Sequence, residues 1–324
     1  MGGNFMKRNL TSIIVVLSII MLSLSPSFAG AEERTYGPYS YKVLQDGTAE
    51  ITMFMGEQES ISIPQKINGI VVSSIGEYAF MTGDIRSVEI GSNIKVLKSY
   101  SFFGCPVEKV TINSPDIEIG SEAFSCCDNL EEFILHANNV TIGDSAFMSA
   151  SPLASFKWEL ADSNASSKAI IEHYGFFGSS IEELSIPCTE VTIGEEAFSC
   201  CENLFALRIL GTTVNIDQCA FMSCSSLSVF EVPNAQKGEG AIGKQAFFGT
   251  GLTEFIVPVC FNTIQEEAFS CSSELSEVTI PENVSNIKKY AFLGCDDSLV
   301  IYTTPGSKAD EYCKDNKITV EYLD

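Results

Sequence analysis

The sequence predicts a solenoid of stacked short repeats, and three observations carry that expectation. The first is a hexamer typified by Ile193-Gly194-Glu195-Glu196-Ala197-Phe198, whose variants close on Phe80, Phe102, Phe124, Phe147, Phe176, Phe198, Phe221, Phe247, Phe269 and Phe292. The second is spacing: consecutive Phe residues of this series lie 22, 22, 23, 29, 22, 23, 26, 22 and 23 positions apart. A fixed period near 22 marks an array in which each unit packs only on its neighbours, without one central core. The third is constancy within the unit: an aliphatic residue sits five before each Phe, from Ile75 and Leu97 to Ile287, and Ala, Ser or Gly immediately precedes it.

Taken in order, the chain begins with Lys7-Arg8, an apolar run from Leu10 to Leu22, then Pro26 and Ser27-Phe28-Ala29. A basic start, an apolar stretch and a small-x-small site describe a cleaved signal peptide over residues 1–29. The competing reading is a membrane anchor, since the run nearly reaches the ~20 residues a span needs; Pro26 and the small residues favour cleavage. Residues 30–64 read as an N-terminal β-hairpin cap, with strands in Tyr41–Leu44 and Ala49–Met53 around the Asp46-Gly47 turn. The repeat array spans 65–301. Within each unit the Phe turn leads into a strand such as Leu130-Glu131-Glu132-Phe133-Ile134-Leu135, whose alternation sends Phe133 and Leu135 inward and Glu132, Ile134 and His136 outward. The chain then returns through Val140-Thr141-Ile142 to the next hexamer. Glu122, Asp144, Glu195, Glu196, Glu266 and Glu267 should line up as an exposed acidic ladder.

A longer period overlies the short one. Phe103-Gly104, Ser125-Cys126-Cys127 and Met148-Ser149 follow three successive Phe residues, and the trio returns after Phe176, Phe198 and Phe221, each 74 positions on. Both long steps fall in the third member of such a block. Their extra residues, Glu159–Lys168 and Asn234–Gly240, should project as loops from one edge. Residues 302–324 form a C-terminal cap: Pro305-Gly306 breaks the chain, Ser307 caps a short helix over Lys308–Asp315, and Ile318–Tyr322 is a closing strand.

Composition narrows the function. The net charge of −23 becomes −25 when residues 1–29, which hold Lys7 and Arg8 and no acid, are removed. Such a surface disfavours nucleic acid and anionic membranes. Eight of the twelve cysteines sit by repeat position: Cys105, Cys127, Cys201, Cys224 and Cys295 lie three after their Phe, and Cys126, Cys200 and Cys271 two after. That placement predicts buried free thiols chosen for size, although rungs ~4.8 Å apart leave disulfides between neighbours geometrically open. No C-x-x-C occurs and the two histidines, His136 and His173, fall in different repeats, so neither metal nor cofactor is expected.

The IGxxAF turn, the Cys three before the strand's first Leu (Cys127, Cys201, Cys224), the Ile-Pro after the strand (Ile186-Pro187, Ile280-Pro281) and the 22–23 residue period together resemble the BspA-like leucine-rich repeats of bacterial surface proteins. Asp46-Gly47-Thr48-Ala49-Glu50-Ile51-Thr52 and Pro305-Gly306-Ser307-Lys308-Ala309 are similar to that family's flanks, so the resemblance covers roughly 36–324. It implies a leucine-rich-repeat solenoid, β-dominated within the α/β class, curved and right-handed with a parallel sheet on its concave side. It also implies secretion or surface display, and adhesion to host proteins or other cells. No catalytic motif carries over.

The expected function is therefore a non-enzymatic secreted or surface binding protein, a monomer with a protein partner. The outward strand residues that supply contacts are Glu132, Ile134, Lys157, Arg208, Val229, Glu231, Glu254 and Ile256, joined by the edge bearing the two inserts. Two alternatives stand beside it. One is a spacer without a localised ligand. The other is an enzyme built on carboxylate pairs such as Glu131-Glu132 and Glu182-Glu183, since the two histidines offer no evident base for a nucleophile.

Overall fold

A computed structural model describes residues 32–81 and 83–323; the signal peptide expected over 1–29 lies outside them. From Arg34 onward the chain forms one compact unit, and its architecture is the leucine-rich-repeat solenoid. The strands that follow the Phe turns stack in parallel in two sheets of eight and four, which Ser60–Ser62 and Thr319–Tyr322 extend at the two ends of the array. Register is kept by repeat position: Phe133 faces Val110 on one side and Phe156 on the other. The alternation places Val110, Phe133, Leu207 and Phe255 in the core, as expected of strands buried on one face.

The return segments do more than connect. Asp116–Ile119, Asn139–Ile142, Lys168–Ile171 and Glu190–Ile193 are themselves strands, and they belong to a second sheet of 14 strands that is parallel along the array and antiparallel only at its N-terminal end. The leading aliphatic of each hexamer stacks on the next, Ile119 on Ile142, then Ile171, then Ile193. Among the described residues, the α-helix is Lys308–Asn316 alone.

The hexamers build a third contact between rungs. The Phe side chains stack from Phe80 to Phe292 with ring centroids 4.7–5.4 Å apart and planes within 17°. Each Phe amide also donates to the carbonyl of the small residue before the next Phe, as from Phe198 N to Ala220 O at 2.8 Å. Amides two before and two after do likewise: Glu196 N reaches Gln218 O at 3.0 Å and Cys200 N reaches Met222 O at 2.8 Å. This alternation needs left-handed backbone at two places. The residue two before every Phe of the series has positive φ, from 53° at Glu122 to 62° at Tyr290, and none of these is glycine. Two after the Phe, positive φ recurs at Gly104, Cys126, Ser149, Gly178, Cys200, Ser223, Gly249, Cys271 and Gly294. The Gly/Cys/Ser rotation along the chain thus marks a left-handed position. Gly194 has a different reason: a Cβ there would lie 2.9 Å from the Ile171 carbonyl of the preceding rung.

The cysteines divide accordingly. Cys126, Cys200 and Cys271, at the left-handed position, are exposed, which corrects the expectation that all repeat-position thiols are buried. Cys105, Cys127, Cys201 and Cys224 are buried and all twelve cysteines are free. The buried thiols are chosen for more than size. Cys127, Cys201 and Cys224 donate to the carbonyls of Phe102, Phe176 and Phe198 at 3.1, 3.0 and 3.0 Å, and Ser272 does the same to Phe247 at 2.8 Å. Burial pushes the Cys201 thiol up to about 11, which keeps it protonated and able to donate.

The ends close the stack. At the N-terminus Tyr39–Val43 and Ala49–Phe54 form an antiparallel hairpin, and Ala49–Phe54 continues parallel to Ile70–Ile75. Phe54 extends the aromatic column onto Phe80 at 5.4 Å. Glu50, buried behind the hairpin, takes Lys42 at 2.8 Å and Lys98 of the second repeat at 2.7 Å. Burial alone would raise this carboxyl; the two ammonium groups outweigh it and hold it below the usual range. At the other end Ser307 caps the helix by accepting from the Asp310 amide at 3.2 Å. Thr319–Tyr322 then pairs in parallel with Val300–Thr303.

The Phe column survives the long steps, since Phe147 and Phe176 stack at 4.9 Å across 29 positions. The extra residues are accommodated at the edge, tied to neighbouring rungs. Asn138 accepts from the Asp162 amide at 2.9 Å and donates to its carbonyl at 2.7 Å. Asn234 donates to the Leu210 carbonyl at 2.8 Å, and Gln236 N to Thr212 O at 3.0 Å.

Two outcomes are expected. Phe198→Ala removes a fully buried ring from mid-column and should cost about 3–5 kcal/mol, with chemical denaturation splitting into two transitions; an unchanged midpoint would refute the column. Alkylation of the native protein should label Cys126, Cys200 and Cys271. Cys127 and Cys201 should label only in denaturant, yet without reductant, as mass spectrometry would show.

Candidate functional site: a break in the strand face

The outward residues of the strand face fall into two groups. In the first, Glu132 lies between Lys109 and Lys157, its two oxygens 2.6 Å from the respective ammonium groups. Hydrogen bonds from Lys109 and Lys157 hold its carboxyl below the usual range. Ile134, half-buried, stands in register between Thr111 and Lys157. Glu132 is thus neutralised from both sides, and the ladder of backbone bonds from Lys109–Ile112 to Ser155–Glu159 is continuous.

The second group surrounds an interruption. Val229–Glu231 ends the eight-stranded sheet and Glu254–Ile256 begins the four-stranded one, so the single sheet expected from the sequence is two. A cleft of about 420 Å³ opens there, lined by Val229, Phe230, Glu231, Glu254, Ile256 and Pro258 among others. The core beneath is not broken, because Phe230 and Phe255 still stack at 5.7 Å. That distance exceeds the 4.9 Å between Phe133 and Phe156, whose strands are paired. The rungs splay at the surface and stay joined below.

The splay follows the inserts. The strand before Asn234–Gly240 makes no ladder with its successor, and the one before Glu159–Lys168 keeps a single partner pair, Ser155 with Glu183. Where no insert intervenes, Glu183–Ile186 and Ala206–Ile209 pair over four residues. Extra length at the edge frees the end of the strand from the spacing its neighbours impose. Cys188 shows this directly, donating past the long repeat to the Asn138 carbonyl 50 positions away at 3.5 Å.

Of the eight residues expected from sequence, Val229, Glu231, Glu254 and Ile256 therefore meet in one cleft. Arg208 reaches its rim through an ion pair, Nε to Glu231 Oε2 at 2.9 Å. Glu132, Ile134 and Lys157 lie on other strands, across Glu183–Ile186 and Ala206–Ile209, and take no part. Ile256 is 70% exposed, more than any other large hydrophobic residue among the described residues. Glu254 sits directly opposite Glu277, a like-charge pair that favours a cationic visitor. Sequence reasoning missed the break itself; the signal was there in the insert that follows the strand.

The geometry defines the class, a leucine-rich-repeat solenoid. The family model described as the BspA type leucine rich repeat region matches residues 53–169 and 160–238, with six copies. The match covers more than half of the chain, and the chain belongs to that family. Among solved structures, it is similar to a leucine rich cell surface protein of Faecalibacterium prausnitzii, at 20% identity and a TM-score of 0.38, covering 92% of this chain and 98% of that one. The pneumococcal vaccine antigen PcpA matches at 15% identity and a TM-score of 0.42, over 91% and 99% of the two chains. A leucine-rich repeat protein of Bacteroides ovatus matches at 17% and 0.37, over 93% and 100%. No curated protein matches the chain.

The orientation is checked by a pair of variants. Ile256→Glu, on the solvent side, should change stability by no more than about 0.5 kcal/mol. Its neighbour Phe255→Ala should cost about 3–5 kcal/mol, both read from urea midpoints.

Proposed function

We propose that this is a non-enzymatic exported binding protein that engages a protein partner through the strand face, with the cleft between Val229–Glu231 and Glu254–Ile256 as its anchoring point. The observation that carries the reading is Ile256, exposed at the lip of that cleft beside Glu254 and the Arg208–Glu231 pair. An apolar group ringed by charge is how a contact surface is built: burial supplies affinity and the rim supplies orientation. Because the surface is preformed, a partner need not order it on binding. The complementary group is an aliphatic or aromatic side chain flanked by Lys or Arg, suited to the unneutralised Glu254 and Glu277.

Family membership supports a repeat scaffold for protein contact. The F. prausnitzii neighbour is described as a cell surface protein, and the sequence of residues 1–29 suits export. Among the described residues no helix is long and apolar enough to cross a membrane. Adhesion to host or neighbouring-cell components, as a monomer, is the role most consistent with these features, and the inserts flank the same edge as the cleft. The net charge of −23 disfavours nucleic acid. Carboxylate catalysis is also disfavoured, because Glu132, the best-placed candidate of its pair, is held ionised by two lysines and so is a poor general acid.

The test is capture from host extracellular matrix and from co-resident bacteria, followed by affinity measurement on the captured protein. Ile256→Glu and Glu254→Lys should each weaken binding by roughly tenfold or more, the scale of a central contact. Shortening 159–168 and 234–240 to the parental step should weaken it further. Unchanged affinity in all three would move the site elsewhere. A spacer would retain no saturable partner.

A further inference from the structure

The hexamer turns hold a second constellation, on a different face of each rung from the cleft. The third position of successive hexamers is Asp144, His173, Glu195 and Gln218, and the turn-to-turn ladder stacks these side by side. The expected acidic ladder is therefore interleaved with other chemistry at its centre. One donor atom each of His173, Glu195 and Glu196 lies within 4.8 Å of the other two. His173 Nδ1 also stands 3.8 Å from Asp144 Oδ1. We propose that His173, Glu195 and Glu196 form a binding site for a divalent first-row transition metal, Zn²⁺ or its analogues, with Asp144 beside the imidazole as the fourth group.

The donor set is the first argument. One imidazole and two carboxylates match the nitrogen and oxygen ligands of Zn²⁺ and related ions, and the imidazole separates this site from the all-oxygen sites of Ca²⁺ and Mg²⁺. Metal–ligand bonds of about 2.0–2.2 Å put tetrahedral ligands about 3.4 Å apart. Closing from the present separation needs only small rotations of side chains that are exposed or half-buried.

Preorganisation is the second. The backbone bearing the ligands is fixed by Tyr174 N to Glu195 O at 3.2 Å and Glu196 N to Gln218 O at 3.0 Å. Each carboxylate is steadied through one oxygen: Tyr174 Oη donates to Glu196 Oε1 at 3.2 Å, and Gln218 Nε2 to Glu195 Oε1 at 3.3 Å. The other oxygen of each is left for an ion, the outer-shell arrangement that metal sites use. The His173 ring packs on Tyr174 with centroids 3.8 Å apart. The field is negative, since the carboxylates of Glu195, Glu196 and Asp144 gather around the imidazole. Lys244, the cation one rung beyond Gln218, is engaged by Glu266 at 3.3 Å.

Such an ion would join three consecutive rungs at the first long repeat, where the strand-face ladder is reduced to one partner pair. The test is titration of the purified protein with Co²⁺ and Zn²⁺ after alkylation of the exposed cysteines. One equivalent should bind, with cobalt d–d absorption and no thiolate charge-transfer band, and should raise the melting temperature. Only two histidines are present, so paramagnetic broadening should strike the His173 imidazole and spare His136. His173→Ala should lower affinity by at least roughly tenfold, and Glu195→Gln and Glu196→Gln should each lower it too. His136→Ala should leave it unchanged, and circular dichroism of each variant reports folding. Absence of binding at 0.1 mM (roughly the weakest affinity of interest), a charge-transfer band, preference for Ca²⁺, or equal loss in His136→Ala would each overturn the proposal.

Discussion

Everything in this molecule depends on the backbone bond from each Phe amide to the carbonyl preceding the next Phe. It joins the turns of neighbouring rungs at 2.7–2.9 Å and sets the separation at which the rings stack. Two consequences follow from that single contact. The residue before the Phe must be small, because the next rung's backbone passes over it. The residues two before and two after must be left-handed, because otherwise their amides would not point along the stack. A non-glycine residue in that conformation is uncommon and carries a cost; here it recurs ten times in one position and, at the eight from Tyr100 to Glu267, is offset by an inter-rung hydrogen bond.

That rigidity gives the inserts their effect. The Phe column carries through both inserts, and the second sheet keeps four partner pairs across the first but only Ile216 with Ile242 across the second, so the accommodation falls on the strand face and, at the second insert, on the return strands as well. On the strand face the outcome is graded: one surviving partner pair after the first insert and none after the second. A uniform ladder would present an unbroken row of alternating polar side chains. The break converts part of it into a cleft with an apolar lip, without a cavity in the core, since Phe230 and Phe255 remain in contact beneath.

The same stacking explains why chemistry can gather on this chain without any local motif. Repeat position, not sequence proximity, decides which side chains meet. Asp144, His173 and Glu195 are 29 and 22 positions apart in sequence and adjacent in space. Buried thiols follow the rule as well: Cys127, Cys201 and Cys224 occupy a position that demands a small donor, which Ser272 also satisfies.

By itself the sequence determined the period, the column of Phe and the inward and outward faces of each strand, because a solenoid repeats one local solution and period-2 alternation is written in residue order. Val229, Glu231, Glu254 and Ile256 were identifiable as outward for that reason. What only the tertiary structure decided is where neighbouring rungs fail to pair and which outward groups come within bonding distance. Glu132 and Ile256 look equivalent in the alternation, yet one is neutralised by lysines on both flanks and the other stands at a break. Cys126 and Cys127 are adjacent, yet one is exposed at a left-handed residue and the other buried against a carbonyl. The physical reason is that rung spacing is set by hydrogen bonds between residues 22 to 29 positions apart. A residue's local pattern says which way it faces, and only the packed stack says what it faces.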